Sequence, residues 1–413
     1  MNFYLTSLFI AIPSFMVLVL IEQIYAKYKG IVVNNHADMI SSLSSGMTNI
    51  TKDVLKIGIV IISYSWLVDT IAIFELKNMW LIVLCALIVQ DFTGYWLHRL
   101  NHRVNILWNR HIIHHSSEEF NLSCALRQSI SQTFRYAAIF MIPAALLGIP
   151  ASIFAILGPI HLFMQFWYHT RLIDKMGFLE YILVTPSHHR VHHGINPEYI
   201  DKNYSQIFII WDKLFNTFQA ELSNVKPVYG TLRPASTWNP ILINFKHIWQ
   251  LVKDAWYAKR FKDKIKIWFM PTGWRPDDVQ LNFPLNKIEN PNEQVKYAPF
   301  NPRGKIIWSW IQHGFALVIT FHLLIGLEGR LMFVNYLYTA FLLMHIFSYT
   351  TMLDNKSYLI IVELIKLTLL VSYFIYQGYT WFGLDIFYGN MIVAYGVISF
   401  IITYYFHKKS IIL

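Results

Sequence analysis

The sequence predicts an all-α integral membrane protein with about nine transmembrane helices. Composition is the first reason: of 413 residues, 55% are hydrophobic and only 14% are charged, whereas soluble domains carry about 25% charged residues. The second is an aromatic content of 16%, which is typical of chains with long membrane interfaces. The third is the distribution of charge. The formal charge is +10, but the basic residues stand between apolar stretches, which favours a membrane over a nucleic-acid partner.

Nine apolar stretches approach the roughly 20 residues that a spanning helix needs. They begin near Phe3, Leu55, Met79, Phe134, Ala151, Ile306, Leu331, Tyr358 and Phe382. The fourth and fifth are short and are separated by Gly148 and Pro150, so a re-entrant hairpin is an alternative for this pair. The first stretch has no small-residue cleavage site, and we expect it to be a membrane anchor.

Basic residues predict the orientation, because lysine and arginine are enriched on the cytoplasmic side. Nine crossings with the N-terminus outside place the following residues inside: Lys27, Lys29, Lys52, Lys56, Arg99, Arg103, Arg110, Arg127, Arg171, Lys175, Lys408 and Lys409. The loops on the other side carry little charge. We therefore expect the two long non-spanning regions, about 97–133 and 169–305, to be cytoplasmic.

The chain divides into four predicted parts. They are N-terminal transmembrane helices (1–97), a histidine-rich catalytic region that includes the membrane hairpin (98–220), a cytoplasmic interfacial segment (221–305) and a C-terminal four-helix transmembrane region (306–413). In the third part, Ile243–Phe269 mixes Trp and Tyr with seven Lys and Arg. This pattern is typical of a helix in the membrane interface, although an amphipathic helix packed on a soluble domain gives the same pattern.

Histidines carry the strongest functional signal, since eleven of the 17 lie between His98 and His193. Most fall in three clusters, HRLNH, HIIHH and HRVHH. Their members are His98, His102, His111, His114, His115, His189, His192 and His193. Within a cluster the first histidine is followed by others at i+3 or i+4, which share one face of a helix. A histidine-based pH sensor would not require this threefold repetition.

Eight imidazoles are enough to bind two metal ions with about four ligands each and open positions. Only Cys85 and Cys124 are present, which argues against iron–sulfur chemistry, whereas imidazole suits iron, zinc, copper and nickel alike. The clusters adjoin predicted span ends, where a lipid chain can reach them. Two redox metals at that place indicate activation of O₂ and attack on an unactivated C–H bond.

Other polar residues near the clusters are candidates for supporting roles. Asp91 lies seven residues before the first cluster on the same helical face, and we expect its carboxylate to fix the tautomer of a ligand imidazole. His169 and His188 are candidates for additional ligands. Glu118 and Glu119 follow the second cluster; they either support the ligands or form a solvated helix start.

The order H-x-x-x-H, then H-x-x-H-H after eight residues, then H-x-x-H-H much later, resembles the fatty acid hydroxylase/sterol desaturase superfamily of integral-membrane di-iron enzymes. The amino-acid sequence around these histidines is most similar to one branch, the alkylglycerol monooxygenase family. The similar segments are YWLHRLNH, NILWNRHIIHHSSEEFNLSCALRQS, QFWYHT, TPSHHRVHHG, DKNYSQIFIIWDKLFNTFQAE and PTGWRP. The resemblance covers most of the chain, but the last four apolar stretches match in their number and spacing more than in their amino-acid sequence.

This resemblance implies an oxidoreductase that uses O₂ to hydroxylate the carbon next to the ether oxygen of an alkylglycerol and so releases a fatty aldehyde. It implies two iron ions bound by the eight cluster histidines, with tetrahydrobiopterin or a redox protein as electron donor. The expected partners are a membrane lipid, O₂ and that donor, with no nucleic acid. A fatty acyl chain, a sterol-like lipid or a carotenoid is the alternative substrate. A metal transporter is the non-enzyme alternative, although transport sites lie near the bilayer midplane.

Three positions depart from the pattern of the branch. Arg103 stands where the branch has Glu, which leaves the choice between the pterin and a redox protein open. Ser205 and Asn216 stand where the branch has Gly.

Overall fold

The computed structural model describes residues 3–132 and 134–412, and it is mostly helical. The N-terminal helices are α1 (Phe3–Tyr28), α2 (His36–Val54), α3 (Tyr64–Ile71) and α4 (Met79–Arg103). The central helices are α5 (Asn105–Trp108), α6 (Ile112–His115), α7 (Ile142–Leu146), α8 (Ala151–Phe166), α9 (Pro186–His192), α10 (Ile210–Leu214), α11 (Pro240–Tyr257), α12 (Phe261–Phe269) and α13 (Asp277–Asn282). The C-terminal helices are α14 (Arg303–Ile325), α15 (Met332–Leu353), α16 (Leu359–Tyr376) and α17 (Ile386–Ile412).

Short elements connect these helices. Four 3₁₀ helices span Cys124–Leu126, Ala137–Met141, Gly177–Tyr181 and Pro291–Glu293. Strands β1 (Ile59–Val60) and β2 (Phe134–Arg135) pair in parallel, with Ile59 opposite Phe134. This pairing ties the segment after α2 to the segment that precedes α7.

Six helices in the described part of the chain are long and apolar enough to cross a membrane, namely α1, α4 and α14 to α17. The chain is thus a multi-pass membrane protein, but the predicted nine spans are not reached. The stretch predicted from Leu55 contains β1 and the 8-residue α3. The stretch from Phe134 contains a 3₁₀ helix followed directly by the 5-residue α7, and the stretch from Ala151 contains the 16-residue α8. Lys56 and Gly148 have φ of +53° and +68°, a left-handed conformation that does not continue a right-handed helix.

Helix α2 returns the chain between α1 and α4, although its hydropathy does not single it out. Leu5, near the start of α1, packs with Val54 at the end of α2. Val19, further along α1, packs in a cluster with Met39 early in α2. The two helices therefore run antiparallel, and α2 carries the chain back alongside α1.

The interior position of α2 explains its unusual composition. Thirteen of its 19 residues are buried, and many of them are Ser or Thr. The Ser42 hydroxyl donates to the carbonyl of Asp38 at 2.9 Å, and the Ser44 hydroxyl donates to the carbonyl of Ile40 at 2.6 Å. Bonds of this kind to the previous turn satisfy a hydroxyl without water. A polar helix is therefore stable inside the helix bundle.

The C-terminal helices form a bundle whose core continues onto α2. Tyr349 and Trp381 of this bundle pack in the same buried cluster as Met47 of α2. The bundle also buries an ion pair between Lys366 and Glu363 at 2.5 Å, because either charge alone would be costly in that environment. Helix α2 thus connects the C-terminal bundle to the histidine-rich region.

The segment Ile243–Phe269 forms α11 and α12, and both helices are amphipathic. The buried face of α11 consists of Ile243, Asn244, His247, Leu251 and Asp254. The outward face of the two helices exposes Phe245, Trp249, Val252, Trp256, Phe261, Ile265 and Phe269. The four on α11 recur at i, i+4, i+7 and i+11, which is one continuous helical stripe.

Candidate metal centre

Nine imidazoles converge in two adjacent groups beside the C-terminal end of α4. The first group holds five, His98, His102, His111, His115 and His192. The second group holds four, His114, His169, His189 and His193. Within each group the ring nitrogens that face one another all lie within 4.8 Å. The structure therefore brings together all eight histidines of the three clusters, and His169 joins them as a ninth.

Helical spacing explains how the clusters are shared between the groups. The histidines at i and i+4 stay together, as with His111 and His115 in the first group and His189 and His193 in the second, because these positions share a helix face. His98 and His102 also stay together, in the first group. In the two clusters of three, the remaining member, His114 or His192, lies in the other group. The rings of His115 and His193 stack at 4.3 Å across the boundary, so the two groups form one continuous centre.

The second group has the more complete geometry. Its four Nε2 atoms form a closed quadrilateral whose edges are His114–His169 at 3.2 Å, His169–His189 at 2.8 Å, His189–His193 at 3.0 Å and His193–His114 at 3.1 Å. A square with edges of about 3 Å has its centre about 2.1 Å from each corner, which is the usual metal–imidazole bond length. The spacing of these nitrogens therefore fits a single metal ion.

The first group shows similar nitrogen spacings. His111 Nε2 lies 2.8 Å from His98 Nε2 and 3.1 Å from His115 Nε2, which in turn lies 3.1 Å from His192 Nε2. The ring of His102 lies 4.7 to 5.1 Å from the rings of the other four. His102 Nε2 is buried without a hydrogen-bond partner in the described structure. Five ligands for one metal leave room for a sixth from O₂ or water.

The tautomers of three imidazoles are set by backbone carbonyl groups, which can only accept a hydrogen bond. The Nδ1–H groups donate as follows: His98 to Tyr204 at 2.7 Å, His192 to Lys202 at 3.0 Å and His169 to Phe166 at 3.3 Å. The Nε2 atoms of these rings are therefore bare lone pairs aimed into the groups. A buried acceptor without a donor costs about 1–3 kcal/mol, whereas a metal ion turns the same lone pairs into bonds. The donor set thus fits metal binding.

Electrostatics keep the imidazoles in the form that binds a metal. Burial lowers the pKa of His114 to about 3. Six other imidazoles of the two groups lie outside α4, and their pKa values are also well below the usual range. The main cause is burial, and the neighbouring imidazoles add to it. These six are His111, His115, His169, His189, His192 and His193. Neutral imidazole is the metal ligand, so no proton needs to be displaced near neutral pH.

Asp212 of α10 supports the first group through the segments before and after this helix. The carboxylate of Asp212 accepts hydrogen bonds from the backbone N–H groups of Tyr204 and Ser205, both at 2.8 Å, and from the hydroxyl of Thr217 at 2.6 Å. These bonds fix the Tyr204 carbonyl that holds His98. Asp212 thus orients a ligand of the first group through the backbone of Tyr204.

The three departures from the branch pattern are each accommodated. Arg103 forms an ion pair with Asp201 at 2.6 Å, and both side chains are partly exposed. Asn216 has φ of +56°, a conformation that Asn tolerates better than most residues where Gly is usual. Ser205 uses its N–H and hydroxyl to bind Asp212. The site therefore keeps its shape with these substitutions.

Asp91 has a different role from the one expected, because its carboxylate contacts none of the nine imidazoles among its described hydrogen bonds. It accepts from His161 Nε2 at 3.0 Å, from the N–H groups of Ile207 and Phe208 at 2.9 and 3.0 Å, and from Trp211 Nε1 at 2.9 Å. Asp91 thus ties α4 to α8 and to the segment before α10. It supports the first group only through that segment.

Three further candidates lie outside both groups. His188 Nδ1 faces the N–H and hydroxyl of Thr185 at 3.4 Å, where it caps α9. Glu118 accepts from the Tyr297 N–H at 2.6 Å. Glu119 pairs with basic residues, Arg171 at 3.0 Å and Lys296 at 2.6 Å. His188 therefore caps α9, whereas Glu118 and Glu119 connect the loop after α6 to Arg171 and to residues 296–297.

The ion pair of Arg127 with Asp38 is a part of the site that sequence reasoning missed. Arg127 Nη2 donates to Asp38 at 2.7 Å and its Nη1 donates to the Ser116 hydroxyl at 2.7 Å, and both charged groups are almost fully buried. Because Ser116 follows His115 directly, this pair fixes the end of α6. In the sequence, Arg127 counted only as one of the basic residues that predict the orientation. Asp38 lies in a serine-rich segment that hydropathy does not single out.

A cavity of about 500 Å³ opens onto both groups. His98 and His111 of the first group line it, as do the second-group residues His114, His169 and His189. Its apolar wall comes from Phe15 of α1, Leu97 of α4, and Phe154, Leu162 and Phe166 of α8. Of these helices, α1 and α4 are long and apolar enough to cross a membrane. An apolar chain entering between these helices would reach the ring nitrogens.

Comparison with known proteins agrees with this arrangement. The family model for fatty acid hydroxylase matches residues 83–217. An alkylglycerol monooxygenase of Homo sapiens is 38% identical over 315 residues, or 76% of this chain and 69% of that protein. One of Danio rerio is 35% identical over 381 residues, or 87% and 80%. An ornithine lipid hydroxylase of Rhizobium tropici is 32% identical over 136 residues, or 33% and 41%. No solved structure matches significantly.

The helical membrane fold and the paired histidine groups place the protein in the class of membrane-bound fatty acid hydroxylases. The matched region, 83–217, contains all nine imidazoles of the two groups. Similarity to alkylglycerol monooxygenases extends well beyond that region. The chain belongs to the alkylglycerol monooxygenase family.

Proposed function

We propose that the protein is a membrane di-iron monooxygenase that hydroxylates the carbon next to the ether bond of an alkylglycerol and releases a fatty aldehyde. The observation that carries this proposal is the cavity, which joins two metal-sized groups of imidazoles to apolar walls on membrane helices. The family relationship supports the ether-lipid substrate. Both the reacting centre and the route for its substrate are thus present in one chain.

The nine imidazoles of the two groups would hold two iron ions, which supply O₂ activation and C–H oxidation when bound. The three carbonyl-held imidazoles present preformed lone pairs, so little reorganisation accompanies binding. Phe154, Leu162 and Phe166 hold the alkyl chain in register and exclude water from the reacting carbon. The hydroxylated carbon then carries two oxygens, and this hemiacetal collapses to the aldehyde and a glycerol derivative.

The metal centre lies on the cytoplasmic side in this proposal. The apolar stripe on α11 and α12 supports it, since Trp249 and Trp256 are 61% and 78% exposed and seven basic residues accompany them. Such a surface suits the cytoplasmic interface of a bilayer. The electron donor is tetrahydrobiopterin or a redox protein; the exposed ion pair of Arg103 with Asp201 stands where the branch has Glu.

The test is an assay for fatty aldehyde with purified, iron-loaded protein, hexadecyl glyceryl ether and O₂, with and without tetrahydrobiopterin. Aldehyde that requires O₂ and the pterin is the expected result. A redox protein fraction replaces the pterin in a parallel reaction, so that the donor and the substrate are tested separately.

Analysis of all products identifies a different substrate. An intact carbon skeleton bearing a new hydroxyl or double bond, formed from a fatty acyl lipid while the ether lipid is untouched, would contradict the ether-lipid proposal and retain the oxygenase. Absence of any oxidised lipid from protein that holds two irons per chain, with either donor, would overturn both.

A further inference from the structure

One part of the cavity is polar and positively charged. Asn49, Arg110, Gln128 and Gln132 line it, and Arg110 directly precedes His111 of the first group. Two of the amides already donate within the protein, Asn49 to Asp53 and Gln128 to the Ala125 carbonyl, both at 3.1 Å. The cavity therefore offers a ligand two environments, apolar walls on α1 and α8 and a polar part whose charged donor is the guanidinium of Arg110. A lipid whose polar head group lies close to its reacting carbon matches this layout.

Arg110 is a half-buried cation without a counter-ion in the described part of the chain. Its guanidinium lies over the ring of Tyr136 at 5.5 Å, a cation–π contact that orients it. The carboxylate of this region, Asp53, is already engaged by Lys52 at 3.4 Å and by Arg135 at 3.2 Å. Arg110 and Lys52 are close enough for their charges to repel. Two of these three cations share the Asp53 carboxylate, and Arg110 is left without a partner charge in the described structure.

A surplus of positive charge in a partly enclosed cavity favours an anionic ligand. The guanidinium group offers a planar fork of donors that matches phosphate oxygens in pairs. The cation–π contact holds Arg110 ready for such a ligand at low entropic cost. A neutral glycerol hydroxyl would gain much less from the same donors, because hydrogen bonds between two charged groups are roughly twice as strong as neutral ones.

We propose that Arg110 selects the head group, and that this chain prefers an ether lipid with a phosphate on its glycerol over a neutral alkylglycerol. The proposal rests on the ether-cleaving function proposed above and names the substrate class for that site. With the ether carbon at the imidazoles, only the glycerol backbone separates it from the phosphate, and Arg110 and His111 line the same cavity. Inorganic phosphate carries the same chemistry and is the competing occupant.

The experiment measures kcat/KM for aldehyde release from hexadecyl glyceryl ether and from its phosphate monoester. The variants are Arg110→Gln, Arg110→Lys and, as a matched control, Arg260→Gln at an exposed position before α12. Wild type and Arg260→Gln are expected to prefer the phosphate ester. Arg110→Gln is expected to lose roughly 10- to 100-fold in kcat/KM for the ester, the range for one charged hydrogen-bonding partner, and to lose much less for the neutral ether, so that the ratio of the two kcat/KM values falls. Arg110→Lys retains part of the preference.

The outcomes separate this proposal from the proposed function. Aldehyde from neither lipid overturns the ether-cleaving function itself. Aldehyde from both lipids with the same ratio in wild type and Arg110→Gln overturns the head-group proposal alone. Stimulation of neutral-ether cleavage by added inorganic phosphate would show that the anion is a free ion, which also overturns it. If Arg110→Gln loses iron, binding of the phosphate ester to metal-free wild type and metal-free Arg110→Lys is compared instead. Weaker binding to Arg110→Lys supports the head-group proposal, and equally weak binding of the ester and the neutral ether to wild type overturns it.

Discussion

The histidines of the two metal-site groups and those of the C-terminal bundle are both buried among helices, but their partners differ. In the bundle each ring has a partner of its own: His322 Nδ1 lies 2.9 Å from the Tyr338 hydroxyl, and His345 Nε2 lies 3.0 Å from the Gln312 carbonyl. In the groups the Nε2 atoms face one another at 2.8 to 3.2 Å. Converging lone pairs, rather than burial, therefore mark the metal site.

The largest expected effect is the difference between replacing a histidine of the metal-site groups and replacing a histidine of the C-terminal bundle. His114→Gln removes one corner of the second group, and we expect activity to fall by at least about 100-fold, beyond what loss of a supporting group usually causes. Iron content should fall from two ions per chain toward one. His322→Gln is the matched control, because its ring bonds Tyr338 instead of other imidazoles.

Aldehyde release and iron by atomic absorption check this pair of variants. Equal losses of iron in His114→Gln and His322→Gln would remove the distinction between the two regions. Full iron content and activity in His114→Gln would show that the second group is not a metal site.

A smaller effect is expected at the ninth imidazole. His169 is held by the Phe166 carbonyl and completes the quadrilateral of the second group. His169→Ala leaves three nitrogens, so we expect weaker iron binding and a loss of activity of about 10- to 100-fold. Excess iron in the assay should restore part of the activity. Unchanged iron affinity in a titration with a competing chelator would place His169 outside the ligand set.

The third prediction concerns pH and the metal-free protein. The pKa of His114 is about 3 in the folded protein, and those of His189 and His193 are also far below the usual value because of burial. The unfolded chain has a usual histidine pKa of about 6.5, so below that pH it binds protons that the folded site does not.

Stability is therefore complete above about pH 6.5 and falls as the pH decreases, by up to about 1.4 kcal/mol per pH unit for each such imidazole. Thermal unfolding of metal-free protein between pH 7.5 and 5.5 measures this. His114→Gln should show a shallower decline than wild type. A flat pH profile in wild type would mean that the groups open and take up protons without unfolding.

Much of the site could be predicted because metal ligands follow local spacing. Pairs at i and i+4, such as His111 with His115 and His189 with His193, meet on one helix face wherever that helix lies. Their division between two groups could not be predicted, since it depends on how α4, α6 and α9 approach one another. The prediction that Asp91 holds a ligand imidazole was wrong for the same reason. Spacing along α4 gives the face on which Asp91 lies, but its partner His161 belongs to α8.

The fold was predictable where hydropathy is decisive and not elsewhere. The six long apolar helices were each expected near their observed positions. Helix α2 was missed because its serines are satisfied by its own backbone, as with Ser42 and Ser44, so it is buried without being apolar. Conversely, the apolar stretch after Leu55 is divided between β1 and the 8-residue α3, so it does not form a long helix.

The sequence by itself determined that this is a helical membrane protein with enough imidazoles for two metal ions, because composition and i, i+4 spacing are properties of the chain alone. The tertiary structure decided which imidazoles share an ion, that His169 joins them and that His188 does not. It also decided that Arg110 lines the cavity with no counter-ion among the described residues. Each of these depends on contacts between residues far apart in the chain, and no local pattern encodes those contacts.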